Sequence, residues 1–261
     1  MIRAKASGIV SVWAVIAILV TGKLNLLAWE IRQVRSIDTG VIGLEHVFVL
    51  CVNQDAEVQL RAAVFDERRF TIKVVDNPPG RGMNLVSAAM QVEAVAGVNG
   101  GFFSKENEPL GWYVVDGRVI QRGRANRLLT GMVGLRGQSL FIERFHRFRY
   151  GRDVRALIQT GPFLVENGQS VIGLNTEHRA RRTAVASDGN GLWALISVDN
   201  VTLYEAAELL TQKIFGDDFR VDVAINLDGG SSAGFWIRGA NQPFYWPEWA
   251  RVRNFLVVIS R

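Results

Sequence analysis

The chain has little cysteine and histidine, and this excludes two kinds of cross-linked fold. Its 261 residues include one cysteine, Cys51, and three histidines that form no H-x-x-x-H pair. An internal disulfide is therefore impossible, and no spacing typical of a zinc site is present. A domain without such cross-links is held together by apolar burial, which this length permits. Cys51 lies in an apolar run and is predicted to be a small core residue.

Long apolar runs are also scarce, and the longest one lies at the N-terminus. Arg3 and Lys5 precede an uncharged stretch over residues 6–22. A positive flank followed by an apolar segment is typical of a secretory signal or of an uncleaved anchor. We therefore expect residues 1–28 to be a signal peptide or an N-terminal membrane anchor. The basic flank predicts that the remainder is exported, to the periplasm or the outside of the cell.

The chain also lacks a strong excess of one charge beyond its N-terminal part. The formal net charge is +5, of which residues 1–40 carry +3, so the remainder is nearly balanced. There is no nucleic-acid reader motif, and we expect no nucleic-acid partner. Residues 118–155 are an exception, with ten arginines against Glu143 and Asp153. This segment is either a solvated surface or a face for an anionic polymer or lipid headgroups.

Alternating apolar residues predict many strands and few helices. Helices are expected at 82–92 and at 202–214, where Thr202 and Glu205 form a capping-box pattern. Asp116-Gly117 between two apolar runs predicts a hairpin. Strands are expected at 45–52, 57–65, 69–76, 94–98, 110–115, 118–122, 128–135, 138–143, 155–159, 181–187, 192–198, 220–227, 233–238 and 253–260.

These elements do not alternate as regular βαβ units, which favours an α+β fold. We predict a strand-rich protein with a twisted mixed or antiparallel sheet and few helices. The economical division is a spacer over 29–40 and a single domain over 41–261, behind the N-terminal apolar helix.

The most informative segment runs from Ile225 to Ser232. Alternating apolar residues end at Asn226-Leu227-Asp228, and two glycines and two serines follow. A carboxylate at a strand end on a glycine turn is held rigidly at the rim of a sheet. The alternative is an ordinary hairpin turn in which Asp228 bonds its own backbone.

Two further glycine turns follow predicted strands. Asn99-Gly100-Gly101 precedes Phe102 and Phe103, and its amides are candidates to hold an oxyanion while the aromatic rings face a sugar. A glycine turn before two core phenylalanines is the alternative. Thr160-Gly161 repeats the pattern before Pro162.

Arginines and an acid complete the set of candidate residues. Arg181 and Thr183 are predicted to share one strand face, with Arg182 on the other, so that one arginine faces a phosphate or carboxylate. A surface cluster of arginines is the alternative. Asp199-Asn200 ends a strand before the capped helix and either forms a turn or lines the site.

The order of these motifs resembles the phosphodiester glycosidase family, which includes the lysosomal uncovering enzyme. Asn99–Phe103 is similar to the family's NGG(F/Y)F turn, Arg182-Thr183 to its RTA strand and Asp228-Gly229-Gly230 to its DGGGS loop. Ser231 stands where a third glycine is common, and Ser232 matches the usual serine. The resemblance covers roughly residues 94–260.

The resemblance implies a hydrolase that cleaves a sugar-1-phosphodiester, on a phosphorylated glycan or glycosyl phosphodiester, between the anomeric carbon and the phosphate. Its leaving phosphate needs a cation or N–H donors, and the oxocarbenium-like carbon needs an anion. Arg182 and the Gly100 and Gly101 amides suit the first task and Asp228 the second. Asp199, or less favourably Glu106, would supply a second carboxylate. The predicted substrate-binding residues are Asn99, Gly100, Gly101, Phe102, Thr160, Gly161, Thr183, Asn226, Gly229, Gly230, Ser231 and Ser232.

Two other functions stay open. In one, the protein is an exported, non-catalytic module that binds a glycan or polyanion through Arg182 and the arginine-rich segment. In the other, Asp228, Asp199 and Asn226 are oxygen ligands for Ca²⁺ or Mg²⁺. No cofactor is otherwise expected, and the N-terminal segment, if uncleaved, would make the membrane a partner.

Overall fold

The computed structural model describes residues 29–54, 56–216 and 218–261, and these form a strand-rich fold. The strands are β1 Glu30–Ile37, β2 Leu44–Val52, β3 Glu57–Asp66, β4 Phe70–Asp76, β5 Ala96–Asn99, β6 Tyr113–Val115, β7 Arg118–Gln121, β8 Gly131–Arg136, β9 Ser139–Arg144, β10 Val154–Thr160, β11 Phe163–Glu166, β12 Gln169–Ser170, β13 Ala180–Ser187, β14 Leu192–Val201, β15 Val223–Asn226, β16 Phe235–Ile237, β17 Phe244–Trp246 and β18 Asn254–Ser260. The helices are α1 Leu85–Gln91, α2 Leu203–Leu210 and a 3₁₀ turn at Gly230–Ser232.

The strands form three sheets. The first has eight strands in the order β1-β2-β3-β14-β13-β15-β11-β12. The second has the order β7-β6-β10-β8-β9, and the third has the order β17-β16-β5-β18-β4. The strand pairs within the described part of the chain are antiparallel, as in the β13–β14 and β5–β18 pairs. The α+β, strand-rich prediction is confirmed, with three sheets in place of a single one.

Local sequence signals account for several of these elements. Thr202 caps the N-terminus of α2: its side chain accepts a hydrogen bond from the Glu205 amide, and the Glu205 carboxylate accepts one from the Thr202 amide. Asp116 and Gly117 both have positive φ, at 48° and 80°, and connect β6 to β7 as the predicted hairpin. Both helices are shorter than their apolar patterns predicted.

The sheets pack face to face around a shared core. Along β3, Ala62 and Val64 face the core beneath α2, whereas Ala63 and Phe65 face the other two sheets. This alternation places the first sheet between α2 on one side and the second and third sheets on the other. Cys51 is fully buried on the α2 side, as predicted.

The start of the described chain differs from the expectation. The predicted spacer over 29–40 contains β1, which pairs with β2 through contacts such as Val34 with Val49. This segment is therefore an edge strand of the first sheet, while the division into domains stays a prediction. The predicted signal or anchor over 1–28 lies outside the described residues. Within the part of the chain that is described, no helix has the length and apolarity to span a bilayer.

One ionisable side chain, His46, is buried between the sheets, with only 3% of its surface exposed. Burial, and secondarily the charge of Arg61, lowers the pKa of His46 from 6.5 to about 4. The unfolded chain therefore binds a proton that the folded chain resists. The stability that neutral His46 contributes is complete above pH 6.5 and is lost as the pH falls towards 4.

We predict that His46→Gln flattens the loss of stability between pH 7 and pH 4. The His46 contribution to that loss is at most roughly 3 kcal/mol, since one pKa unit corresponds to about 1.4 kcal/mol. Urea unfolding at several pH values measures it. Parallel pH profiles for the two proteins would contradict the assignment, because carboxylates titrate equally in both.

Candidate active site

Three strand ends, one from each sheet, meet at a single point. Asn99 ends β5, Thr160 ends β10 and Asn226 ends β15, and each is followed by one of the predicted glycine turns. The Asp228 amide donates to the Gly100 carbonyl at 3.2 Å. The Asn226 amide nitrogen Nδ2 donates to the Gly161 carbonyl at 3.0 Å. Distant motifs of the sequence are thus brought together.

Asn99 and Thr183 hold the main chain of Asp228. Asn99 is 1% exposed, and its Nδ2 donates to the Asp228 carbonyl at 2.7 Å. The Thr183 hydroxyl lies 2.8 Å from the same carbonyl and 2.8 Å from Asn99 Oδ1. Asn99 Oδ1 also accepts from the Gly234 amide at 3.2 Å. Fixed side chains of this kind keep the Asp228 main chain, from which the carboxyl projects, in one position.

Opposing effects act on the pKa of the Asp228 carboxyl. Burial raises its pKa above the ordinary value of 3.8, whereas hydrogen bonds from Ser232 and the Gly229 amide and the charge of Arg182 lower it, and the rise prevails. The Gly229 amide donates to Asp228 Oδ1 at 2.9 Å. A desolvated carboxyl with a raised pKa is typical of a group that exchanges protons or attacks an electrophile.

Arg182 lies beside this carboxyl. Its Nε donates to the Val201 carbonyl at 3.2 Å and its Nη2 to the His178 carbonyl at 2.5 Å. Arg182 Nη1 lies 3.4 Å from the place where a Cβ on Gly229 would stand, which puts the guanidinium against the Asp228 loop. Burial lowers the pKa of Arg182, and Asp228 acts in the opposite sense. Arg182 and Asp228 therefore lie close enough for each charge to influence the pKa of the other group, although no direct ion pair joins them among the described residues.

The Gly100 and Gly101 amides are engaged by Asn254, which corrects one expectation. The Gly100 amide donates to the Asn254 carbonyl at 2.8 Å and the Gly101 amide to Asn254 Oδ1 at 2.8 Å. These N–H groups hold the turn and are not free for an oxyanion. Glycine is required because a Cβ would lie 1.8 Å from Asn254 Oδ1 at Gly100 and 2.4 Å from Ile158 Cγ2 at Gly101.

Asp199 lies beside Arg181 and not beside Arg182. Its Oδ1 lies 3.6 Å from Arg181 Nε, and its side chain is 46% exposed. Arg181 is buried, with its guanidinium carbon 4.5 Å from the Trp246 ring centre and 4.8 Å from that of Trp249. The contacts of the described residues include no bond from Asp199 to Asp228. Glu106 is fully exposed on a separate turn, where it bonds Ser104.

The remaining predicted binding residues differ in their roles. Thr160 is buried and its hydroxyl donates to the Asn226 carbonyl at 2.7 Å. Ser232 is buried beside Asp228, whereas Ser231 is exposed and its carbonyl accepts the Trp249 amide at 2.8 Å. Phe102 is half-buried, and its carbonyl accepts the Leu110 amide at 2.8 Å.

Gly230 takes a positive φ of 65° at the start of the 3₁₀ turn, with no atom within 4 Å of where a Cβ would stand. Backbone conformation, and not close packing, therefore favours glycine there. The loop keeps its turn with Ser231 in place of a third glycine.

Two residues of the site were not predicted. Asn254 bridges the Gly100 turn, and Trp249 is 74% exposed against the Ser231 loop. The only signal for Asn254 is a polar side chain at the first position of an apolar strand, which many proteins show without functional consequence. Its contacts join positions more than 150 residues apart.

The described residues contain no group of three or more His, Cys, Asp or Glu side chains close enough to hold a metal ion. Asn226, one of the proposed oxygen ligands, uses its Nδ2 on the Gly161 and Leu227 carbonyls, and its Oδ1 is buried without a partner in the described structure. The site thus consists of one half-buried carboxyl, one half-buried arginine and hydrogen-bonded glycine turns.

A family model described as phosphodiester glycosidase matches residues 92–259 of the chain. The protein belongs to the phosphodiester glycosidase family. That match contains the Asn99, Arg182 and Asp228 motifs, so the sequence resemblance is confirmed. A glycosidase-type hydrolase is the corresponding coarse function.

Solved structures show the same fold at low identity. The zebrafish N-acetylglucosamine-1-phosphodiester alpha-N-acetylglucosaminidase catalytic domain, auto-inhibited by pro-peptide, is 19% identical with a TM-score of 0.64, over 88% of each chain. A hypothetical protein from Synechocystis is 17% identical with a TM-score of 0.59, over 88% of this chain and 64% of that one. A search among curated proteins finds no match.

Proposed function

We propose that this phosphodiester glycosidase hydrolyses a glycosyl-1-phosphodiester between the anomeric carbon and the phosphate oxygen. The observation that carries the proposal is the placement of Arg182 beside Asp228, on a loop held by Asn99 and Thr183. One group suits a departing phosphate and the other a carbon that becomes cationic. The substrate class follows the family and the related zebrafish enzyme.

The chemistry needs little acid assistance. The C1–O bond breaks, its electron pair stays on the phosphate oxygen, and water supplies the new hydroxyl at C1. A phosphate monoester is a good leaving group, since its second pKa is about 6. Arg182 offsets the charge that develops on it, and the Asp228 carboxylate stabilises the oxocarbenium-like carbon.

The stereochemistry at C1 separates the two roles open to Asp228. If the carboxylate activates water, the first-formed sugar has the inverted anomeric configuration. If it attacks C1, a glycosyl-enzyme forms and the configuration is retained. Asp199 is paired with Arg181. Among the described residues, Asp228 is therefore the one acid that acts on Arg182. This favours inversion with Asp228 as the base, and proton NMR of the first product measures it.

We predict that the purified full chain converts a p-nitrophenyl phosphodiester of a sugar 1-phosphate into free sugar and p-nitrophenyl phosphate. Arg182→Met should lower kcat by about 10²- to 10³-fold, the usual loss when one transition-state donor is removed. Arg220→Met, an exposed position, is the control. Intact substrate with wild-type protein, but tight retention of it, would instead indicate the non-catalytic binding module.

The pH profile provides a second prediction. Because the pKa of Asp228 lies above 3.8, kcat/KM should fall on the acid side at a pH higher than an ordinary carboxyl would give. Protonation removes the anion beside C1, so activity is lost as the pH falls through that pKa. An acid limb at or below pH 3.8 would contradict Asp228 as the titrating group.

We also propose that the protein acts outside the cytoplasm and contacts the membrane through residues 6–22 if these remain attached. The support is the basic flank of Arg3 and Lys5 before that apolar stretch. Fractionation of cells that express the full chain tests this. Recovery only in the cytoplasmic fraction would contradict it.

A further inference from the structure

A cavity lies between the edge of the first sheet and the β16–β17 hairpin. It encloses about 390 Å³, within the range of about 300–1,000 Å³ usual for small-molecule sites. Its lining includes His46 of β2 and Arg61 of β3, together with Asp38, Asn241 and Gln242. None of these residues takes part in the contacts that hold Asp228 and Arg182.

Arg61 places a half-buried positive charge in this cavity. Its guanidinium lies between two rings, with the carbon 4.2 Å from the centres of both Phe48 and Phe244. Its Nε is buried and has no hydrogen-bond partner among the described residues. Burial lowers the pKa of Arg61, and the charge of Arg35 adds to this. A desolvated cation next to a like charge is stabilised by an anion.

His46 adds an unpaired polar atom. The side chain is 97% buried, and its Nε2 has no partner in the described structure. The ring lies 5.4 Å from that of Phe244, the residue that stacks on Arg61. Since its pKa is about 4, the imidazole is neutral near pH 7 and has one donor and one acceptor nitrogen. A buried polar atom without a partner costs stability unless a ligand satisfies it.

The rest of the lining suits hydroxyl groups. The side chains of Asn241 and Gln242 are amides, and Asp38 is an exposed carboxylate whose Oδ1 accepts the Gly40 amide at 2.8 Å. Amides and carboxylates are common partners of sugar hydroxyls because they both donate and accept, or accept strongly. Charge and hydrogen-bonding capacity thus occur together in one cavity.

We propose that this cavity binds a small anionic sugar, with its carboxylate or phosphate oxygens on Arg61 and an oxygen on His46 Nε2. The site is separate from the Asp228 site and does not depend on the proposed hydrolysis. Its ligand is an oxyanion on a polyhydroxyl ring, either a sugar acid or a sugar phosphate monoester.

The three histidines make a direct test possible. His46 reports on this cavity. The His178 carbonyl accepts a hydrogen bond from Arg182, so His178 reports on the other site. His146 lies near Arg144 and Arg147 at another surface. Imidazole NMR spectra of the full chain are recorded during titration with glucuronate, with glucose 6-phosphate and with uncharged glucose. We expect either anion to shift the His46 signals with saturation, and glucose at the same concentration to leave them in place.

Variants test whether the Arg61 charge binds the anion. Arg61→Met keeps a long apolar side chain between the rings and should weaken anion binding at least about tenfold, as loss of a charge-assisted pair does. Arg118→Gln, on an exposed position of β7, is the control. Saturation by glucuronate alone or glucose 6-phosphate alone identifies the oxyanion.

An unmoved His46 signal with both anions in the wild-type chain would overturn the proposal. Equal binding by wild type and Arg61→Met would do the same. The wild-type titration decides the question even if a variant does not fold.

Discussion

Asp228→Asn is expected to abolish turnover, with kcat reduced about 10³-fold and binding of the sugar phosphodiester nearly unchanged. The amide keeps the shape of the carboxyl, and its oxygen still accepts the Gly229 amide that now bonds Asp228 Oδ1 at 2.9 Å. Asn99 and Thr183 hold the main chain at this position and are unaffected. The variant lacks the negative charge and the base. Loss of a general base typically lowers the reaction rate by about 10²- to 10⁴-fold.

Asp188→Asn is a matched control for this variant. Asp188 also accepts main-chain amides through its Oδ1, from Asn190 at 2.7 Å and from Leu192 at 2.9 Å, but in a turn between β13 and β14. Wild-type rates are expected there. A tenth or more of wild-type kcat in Asp228→Asn would show that this carboxyl does not act in the reaction. Urea unfolding of each variant separates loss of chemistry from loss of fold.

Gly100→Ala is expected to destabilise the fold strongly, although it adds a single methyl group. The added Cβ would lie 1.8 Å from Asn254 Oδ1 and 3.0 Å from the Asn254 carbonyl, which itself accepts the Gly100 amide. Backbone of β18 is fixed by its neighbours, so the turn must move. Overpacking of this kind costs about 1–3 kcal/mol or more. Because Gly100 also accepts the Asp228 amide, activity should fall with stability.

Gly151→Ala provides the comparison. Its added Cβ would meet the end of the Asp153 side chain at 2.4 Å, an atom that rotates away easily. We expect a change in unfolding free energy below about 0.5 kcal/mol, as for other surface substitutions. If thermal unfolding and turnover of Gly100→Ala match those of Gly151→Ala, the turn is more pliable than its contacts indicate.

Local patterns predicted the parts of the fold that depend on nearby residues. The Asp116-Gly117 hairpin and the Thr202–Glu205 cap are set by backbone conformation and by side chains three residues apart. β1 was missed because its residues are mostly polar and exposed, as at an edge strand. β17 was missed because it has three residues, from Phe244 to Trp246, and is bordered by Pro243 and Pro247.

In the candidate site, too, local motifs predicted some residues, whereas pairings that depend on tertiary contacts were not predicted. Strand-end glycine motifs indicated Asn99, Gly100 and Asp228, and the structure brings them together. The chain order did not reveal which arginine would meet which acid. A register shift in the β13–β14 pair lies between Ala180 and Arg182, and Arg181 contacts Asp199 while Arg182 lies beside Asp228. Adjacent side chains point to opposite faces, so such partners depend on tertiary contacts.

Hydrolysis in water enriched in ¹⁸O tests the proposed bond cleavage most directly. Mass spectrometry of the products from a glycosyl-1-phosphodiester locates the label. If Asp228 and Arg182 act at the anomeric carbon, the sugar carries ¹⁸O and the phosphate monoester carries none. Label in the phosphate would show attack at phosphorus and would contradict the account.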